Sequence, residues 1–475
     1  MRRLFEPRTI AVAGMSTSRV GPVNRYVAGL RGYGFDGRIY ALHPQADVID
    51  GVPAFRSLAD MPEPIDYTYI AVPASAVGEV LRGGAGKVGF AQIMTSGFAE
   101  ESAEGAKREA ELVAIAREGG IRLLGPNCLG THSPRGRITF VEGADTTPGT
   151  VGVVSQSGGL GIDLIRRGAQ RGLGLSGLVT IGNAADIGVE ELVRHFRDAS
   201  DTSVLGLYLE HVKDGRALFE VLVTMRESMP CVLLKGGSTP QGNRAASSHT
   251  GAMTSDARIW TALAQQAGVI LVDTLDEFVD TLVCLQHTRF ASQHVTGAVA
   301  MVGNGGGTSV LGSDAFGRHG IDVPVMDDRT VSALTALNLP PGTSVVNPVD
   351  TPAGTVLQRE GKVMADILRT VAQDRATDAV VAHMNLPVLL TSTDQPEVLM
   401  DNIERGFVEA ASSLPPGKHF IAVLRSDGSE QIDHRRSQMA SALSRVGIPV
   451  VRELADAAKV LAGVRHVEQV RALRS

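Results

Sequence analysis

Ser248-His249-Thr250-Gly251-Ala252 sets one histidine among small side chains near the middle of the chain. A neutral imidazole is a competent nucleophile near pH 7, because its ordinary pKa is about 6.5. The Ser, Thr, Gly and Ala around it leave room for a bulky group on the ring, and a phosphoryl group is one such. Locally the pattern reads as an apolar strand, Cys231–Lys235, then a small-residue loop from Arg244 to Met253 carrying His249, then a helix from about Ser255-Asp256. A lone histidine in such a setting is most often incidental, so its role depends on what accompanies it.

Two other segments supply what a phosphorylated histidine needs. One is the apolar run Val151–Ser155, followed by Gln156, Ser157, Gly158, Gly159, Leu160 and Gly161 and then a helical pattern. The other repeats the layout: Ala300–Gly303, then Asn304, Gly305, Gly306 and Gly307, then a helical run to about Arg318. Glycines let a backbone approach a ligand closely, and the free N–H groups and dipole of a helix start favour an anion. Ser155, Ser157, Gly158 and Gly159, with Asn304, Gly305, Gly306 and Gly307, are therefore candidate phosphate-binding residues.

Those loops need elements to hold them. At 475 residues the chain exceeds one ordinary core, and about two to four domains are expected. Hydrophobic residues make up 43% and charged residues 20%, which is the composition of a folded globular protein rather than a disordered one. A net charge of −6 provides no basic footprint for nucleic acid or an anionic membrane, and 4% aromatics offer few platforms for bases. Three widely spaced cysteines, Cys128, Cys231 and Cys284, read as a reduced cytoplasmic pattern. The twelve histidines include no HExxH arrangement, and no protein-bound metal is expected. Neither a membrane span nor a signal peptide is recognisable.

Strand-like runs alternate with amphipathic stretches throughout, the signature of parallel α/β architecture. Expected strands in the first block are Thr9–Ala13, Arg38–Leu42, Tyr67–Val72, Phe90–Thr95 and Ile121–Leu124. The second block holds Val151–Ser155, Leu178–Ile181, Val204–Glu210, Cys231–Lys235 and Val269–Val272. The third begins near Gly297 and continues through Asp378–His383, His419–Leu424 and Pro449–Val451. Gly143–Thr150, with Pro148-Gly149, separates the first two blocks, and the alike openings of the second and third suggest two similar domains facing each other. Domain boundaries are expected at 1–145, 146–290 and 291–475.

In the first block Gly14, Met15, Ser16, Thr17, Ser18, Arg19, Val20 and Gly21 follow the first strand, and a helix opens at Pro22. Such a turn can hold a nucleotide phosphate. It is not GxGxxG, and the second strand runs into His43-Pro44-Gln45 without the acidic residue that binds nicotinamide-dinucleotide ribose, so an NAD-dependent oxidoreductase is disfavoured. Val72-Pro73, Ser96-Gly97 with Glu100, and Asn127-Cys128 within Gly125–Gly130 fall at successive strand ends, where open parallel sheets bind ligands.

Together these residues resemble the NDP-forming acyl-CoA synthetase family, relatives of the succinyl-CoA synthetase α subunit. The similarity runs through Gly14–Gly21, Val72-Pro73, Ser96–Glu100, Gly125–Gly130, Ser155–Gly161, Gly182-Asn183, Tyr208-Leu209-Glu210, Ser248–Ala252, Asn304–Gly307 and Asn347–Asp350. It implies a Rossmann-like CoA-binding domain followed by two flavodoxin-like parallel-sheet domains. His249 matches the phosphorylated histidine and Glu210 the acid that orients it. Gly14, Ser16, Thr17, Ser18, Arg19, Val72, Pro73, Ser96, Gly97, Glu100, Asn127 and Cys128 fall at the CoA site, the last two near the thiol end. Two departures stand out: His43-Pro44-Gln45 where the family has Asn-Pro-Lys, and His211 where it has Gly. Nothing in the sequence resembles an ATP-grasp domain. The resemblance therefore implies an α-type half working with a separate ATP-grasp β subunit, in an oligomer, on CoA and a small carboxylic acid, with Mg²⁺ travelling with ATP or ADP on the partner. The alternative is a CoA-binding regulatory or scaffold protein without ligase turnover.

Overall fold

A computed structural model of the chain describes residues 1–250, 256–291 and 294–473, with the backbone alone at 247–250. Its architecture is α/β, built on three mainly parallel sheets. The first sheet contains β1 (Thr9–Ala13), β2 (Arg38–Leu42), β3 (Val48–Ile49), β4 (Val52–Phe55), β5 (Ile65–Ile70), β6 (Val88–Ile93) and β7 (Arg122–Leu124), in the order β3-β4-β2-β1-β5-β6-β7. The second contains β8 (Thr131–His132), β9 (Val151–Ser155), β10 (Leu175–Thr180), β11 (Val204–Leu209), β12 (Cys231–Lys235) and β13 (Ile270–Val272), in the order β13-β12-β11-β9-β10-β8. In the third, β14 (Val299–Gly303), β15 (Val349–Asp350), β16 (Ala379–Asn385), β17 (His419–Arg425) and β18 (Val450–Val451) run β15-β14-β16-β17-β18.

Each opening strand is apolar along its length, and β1, β9 and β14 are buried at every position. That is what a parallel strand covered by helices on both faces requires. In every sheet the chain leaves the opening strand to one side and returns on the other. This creates a switch point between β1 and β5, between β9 and β11, and between β14 and β16. At such a point the crossovers diverge and a crevice opens beyond the strand ends.

Met1–Ala169 with Gly174–Asp273 forms one compact unit, and Gln170–Leu173 with Thr274–Ser475 another. In the first, one continuous core joins Ile10, Tyr67 and Tyr69 of the first sheet to Val154, Leu207 and Leu233 of the second. Its sheets are also stitched by backbone: Asn183 N donates to Pro126 O, Ala185 N to Gly125 O and Ile187 N to Leu123 O. The second unit has its own core around Val302, Val380, Ala422 and Ile403.

Strands β1, β2, β9 and β12 match their expected limits, and most others shift by a few residues. The expected loop around His249 is corrected: Pro240–Thr250 is a helix. Pro240 opens it, Thr239 Oγ1 accepts from Gly242 N, and the following Ala and Ser residues tolerate helical backbone. Gly251–Met253 lie outside the described residues. The β3–β4 hairpin and the antiparallel β8 were not anticipated, being too short for a periodic signal. A cue did exist for the hairpin. Asp50 and Gly51 both take positive φ, 49° and 72°, which is the two-residue turn that Asp-Gly specifies.

Candidate functional site

Four turns of the first sheet's carboxyl edge lie side by side because β1, β5, β6 and β7 are successive neighbours. Ala71 N donates to Ala13 O, Met94 N to Ile70 O, Thr95 Oγ1 to Val72 O and Asn127 N to Thr95 O. Ser16, Val72, Ser96 and Asn127 are thus brought to one edge. The loop after β1 is organised from within. Asn24 Oδ1 accepts from Ser16 N and Gly21 N at 3.1 and 3.2 Å, and Ser16 Oγ accepts from Ser18 N and Arg19 N. Asn24 was not singled out from the sequence; its place at N3 of the helix Pro22–Gly32 was the available cue. Thr17, Ser18 and Arg19 remain exposed.

Gly14 has φ +111°, and a Cβ there would lie 2.5 Å from Ala71 O. Its glycine is demanded by the packing of β1 against the turn after β5, before any ligand is considered. Glu100 is likewise committed to the fold: its carboxylate accepts from Gly97 N at 2.6 Å, Phe98 N at 3.2 Å and Asn183 Nδ2 at 2.5 Å. Burial alone would raise its pKa, but these hydrogen bonds outweigh burial and hold it below the usual carboxylate range. The Cys128 thiol is buried and its pKa is pushed up to about 12 by desolvation. Placement of Cys128 at the thiol end of a ligand is therefore corrected. Its side chain belongs to the core, while Asn127, at φ +58°, stays partly exposed at the edge.

At the second switch point the sheet edge carries Glu210. Gln156 N donates to Tyr208 O, and Gln156 Oε1 accepts from Glu210 N at 2.7 Å and His211 N at 2.8 Å. The buried Glu210 carboxylate accepts from Tyr208 OH at 3.0 Å. Lys235 Nζ donates to Glu210 O at 2.9 Å and stands 5.2 Å from the centre of the Trp260 ring. Burial lowers the Lys235 pKa, partly offset by the Glu210 charge. Gln156 and Lys235 were both missed; Lys235 ending an otherwise apolar strand was the signal. His249 stands in the helix that follows β12, with its side chain outside the described residues.

Beside Glu210, the helix Gly158–Gln170 opens toward the same edge. Ser155 is fully buried and donates to Ser157 O at 2.7 Å, so its hydroxyl serves the turn rather than a ligand. Ser157 Oγ accepts from Leu160 N. Among the described residues the Gly158 and Gly159 amides make no hydrogen bond, and they lead the helix as anion donors must.

The third sheet repeats the geometry. Asn304 N donates to His383 O, and Asn304 Oδ1 accepts from Asn385 N at 2.7 Å. Here the expectation of a phosphate cradle is corrected for Asn304 and Gly305: Gly305 N donates to Asp350 Oδ1 at 3.0 Å, so the protein's own carboxylate sits at the start of the helix Gly306–Arg318. Gly306 is also close to it, since an added Cβ would lie 2.9 Å from Asp350 Oδ2. Gly307 stands in the open, and Arg425 Nη1 donates to Thr308 Oγ1 at 2.8 Å. Among the described residues no cluster of three or more His, Cys, Asp or Glu is placed to hold a metal ion, and no helix is long and apolar enough to cross a membrane.

Repeated open α/β sheets, each with turns gathered at a switch point, define a doubly wound α/β protein, a class whose ligands bind beyond the carboxyl ends of the strands. Residues 8–134 match the model of a CoA-binding domain, and residues 148–285 that of the succinyl-CoA ligase-like flavodoxin domain. Over 461 residues the chain is 30% identical to the α subunit of ADP-forming acetate–CoA ligase II from Pyrococcus furiosus, covering 96% of this chain and 95% of that subunit. It is 31% identical over 452 residues to ADP-forming acetate–CoA ligase I from Archaeoglobus fulgidus, covering 94% of this chain but 61% of that protein. The dinucleotide-forming acetyl-coenzyme A synthetase 1 of Candidatus Korarchaeum cryptofilum, solved with phosphate and ADP, superposes with a TM-score of 0.83 at 25% identity, covering 99% and 97% of the two chains. The chain belongs to the NDP-forming acyl-CoA synthetase family, on its α-subunit side.

Proposed function

We propose that the chain is the α-type subunit of an acid–CoA ligase that interconverts acyl-CoA, phosphate and ADP with carboxylic acid, CoA and ATP. One observation carries this reading: at a single switch point, Gln156 ties the Glu210 strand end to the loop that starts the Gly158–Gln170 helix. In the first step a phosphate oxygen attacks the thioester carbonyl, CoA leaves as its thiolate, and acyl phosphate forms. His249 then takes the phosphoryl group as the carboxylate leaves, and phosphohistidine passes it to the β-phosphate of ADP. Phosphoryl transfer depends mostly on positioning and charge stabilisation, which the Gly158 and Gly159 amides and Lys235 are suited to give. Glu210 would fix the imidazole tautomer and stabilise its charged form.

CoA would lie along the first sheet's edge against Thr17, Ser18, Arg19, Ser96 and Asn127. Domains at 1–145, 146–290 and 291–475 would each hold the opening strand of one sheet, with β8 (Thr131–His132) reaching across into the second sheet and Thr274–Ser475 lying in one compact unit. Mg²⁺ would neutralise the nucleotide phosphates on a separate ATP-grasp subunit. In support, the Pyrococcus furiosus relative is named as a subunit, while the Archaeoglobus fulgidus relative, named without a subunit, extends well beyond the match.

Incubation with acetyl-CoA and radiolabelled phosphate tests the assignment. An acid-labile, alkali-stable label is expected on His249. His249→Ala should abolish it with CoA binding intact, and Glu210→Gln should lower it by about 10²-fold. Full labelling of His249→Ala would overturn the mechanism. Stable CoA binding with no phosphorylation, even with an ATP-grasp subunit present, would favour a CoA-binding scaffold instead.

A further inference from the structure

Resting on that CoA reading of the first sheet, we propose that Arg56 recognises the ribose 3′-phosphate of CoA and sets the preference for CoA over dephospho-CoA. In an open α/β nucleotide site the turn after the first strand takes the diphosphate, and the end of the second strand faces the ribose. A carboxylate there reads ribose hydroxyls, whereas an arginine accommodates a ribose phosphate. Strand β2 ends at Leu42 and runs into His43-Pro44-Gln45, none of them acidic; the first carboxylate beyond the strand is Asp47, and it is paired with Arg56.

The hairpin supplies the arginine. Strand β4 pairs in parallel with β2, Leu42 opposite Phe55, and His43 N donates to Phe55 O at 2.9 Å. Arg56 therefore emerges beside His43. Its Nη1 donates to Ala46 O at 2.6 Å and His43 O at 3.4 Å, and its Nη2 to Asp47 Oδ1 at 2.9 Å. These contacts hold a flexible side chain at the sheet edge while it stays 48% exposed. They engage three of the five guanidinium donors, which leaves others for a phosphate. His43 adds a second donor. Its Nδ1 accepts from Gln45 N and Ala46 N at 3.2 and 2.9 Å, so the ring proton resides on Nε2. On the other side, β1 pairs with β2 and carries the exposed Arg19 in its following loop, where the diphosphate would lie.

Calorimetric titration of the full chain with CoA and with dephospho-CoA tests this. Wild type should prefer CoA by about tenfold or more, the worth of one hydrogen-bonded charge pair. Arg56→Gln should lose most of that preference while binding dephospho-CoA within about twofold of wild type. Asp47→Asn should widen it, because removing the carboxylate that competes for Arg56 strengthens the phosphate contact; a purely structural Arg56–Asp47 pair would make it weaken both ligands. Equal affinity of wild type for the two ligands, an unchanged preference in Arg56→Gln, or equal weakening of both ligands overturns the role of Arg56 alone. Absence of CoA binding by wild type overturns the CoA reading beneath it.

Discussion

Gln156 holds Glu210: its Oε1 accepts from Glu210 N at 2.7 Å and from His211 N at 2.8 Å, while its own N–H donates to Tyr208 O. Two strand ends that are 54 positions apart in sequence are thereby locked in one register. Asn304 does the same for Asn385 in the third sheet, with a side chain one methylene shorter. The recurrence gives the alike openings of the two segments a physical content beyond their glycines.

Gln156→Ala should leave two amides at a crowded sheet edge without their acceptor. A loss of about 2–4 kcal/mol of stability is expected by chemical denaturation. His249 phosphorylation should fall by about 10²-fold, since Glu210 loses its fixed position. CoA affinity, set in the first sheet, should hardly change; a phosphorylation yield equal to wild type would separate Gln156 from the chemistry.

Gly14→Val and Arg19→Gln should fail differently. The first forces a Cβ onto Ala71 O at a φ of +111°, so its melting temperature and CoA binding should drop together. The second alters an exposed charge and should weaken CoA with the melting temperature unchanged. Normal thermal stability of Gly14→Val would show that the β1 turn can relax.

His383 is fully buried, and burial first, with Arg425 second, lowers its pKa from 6.5 to about 4. Between those values the unfolded chain binds the extra proton. The contribution is therefore complete above pH 6.5 and is lost as pH falls toward 4, amounting to on the order of 3 kcal/mol. His132, also lowered to about 4 by burial, acts in the same sense. His383→Gln should flatten the stability-against-pH curve in this window by up to about 1.4 kcal/mol per pH unit. A slope matching wild type would mean that His383 titrates normally in the native state.

All three cysteines are buried and free, and burial raises the pKa of Cys128 and Cys284 to about 12 and that of Cys231 higher still. Ellman's reagent at pH 8 should find no reactive thiol in the native chain and three after denaturation. Rapid labelling of Cys128 in the native state would put its thiol at the ligand edge after all.

Sequence alone determined the α/β class, the opening strands of all three sheets, and the turns that follow them, because apolar strands and glycine-rich helix starts are local patterns. Ser16, Ser96, Asn127, Gly158 and Glu210 could be placed at strand ends for the same reason. What the turns do with their polar atoms was decided only by tertiary structure. Whether Gly305 N meets an outside anion or Asp350 Oδ1, whether Glu100 faces a ligand or the amides of Gly97 and Phe98, and whether Cys128 is reactive or buried all depend on partners distant in sequence or on how a turn packs. The helix at Pro240–Thr250 was hidden because small residues suit loops and helices alike. Arg56 and Asn24 escaped notice since neither stands in a glycine-rich motif; each reaches its turn through a hairpin or a helix start that brings it back. Hydrophobic periodicity survives in one dimension, whereas the pairing of buried and edge polar groups exists only once the sheets have closed their registers.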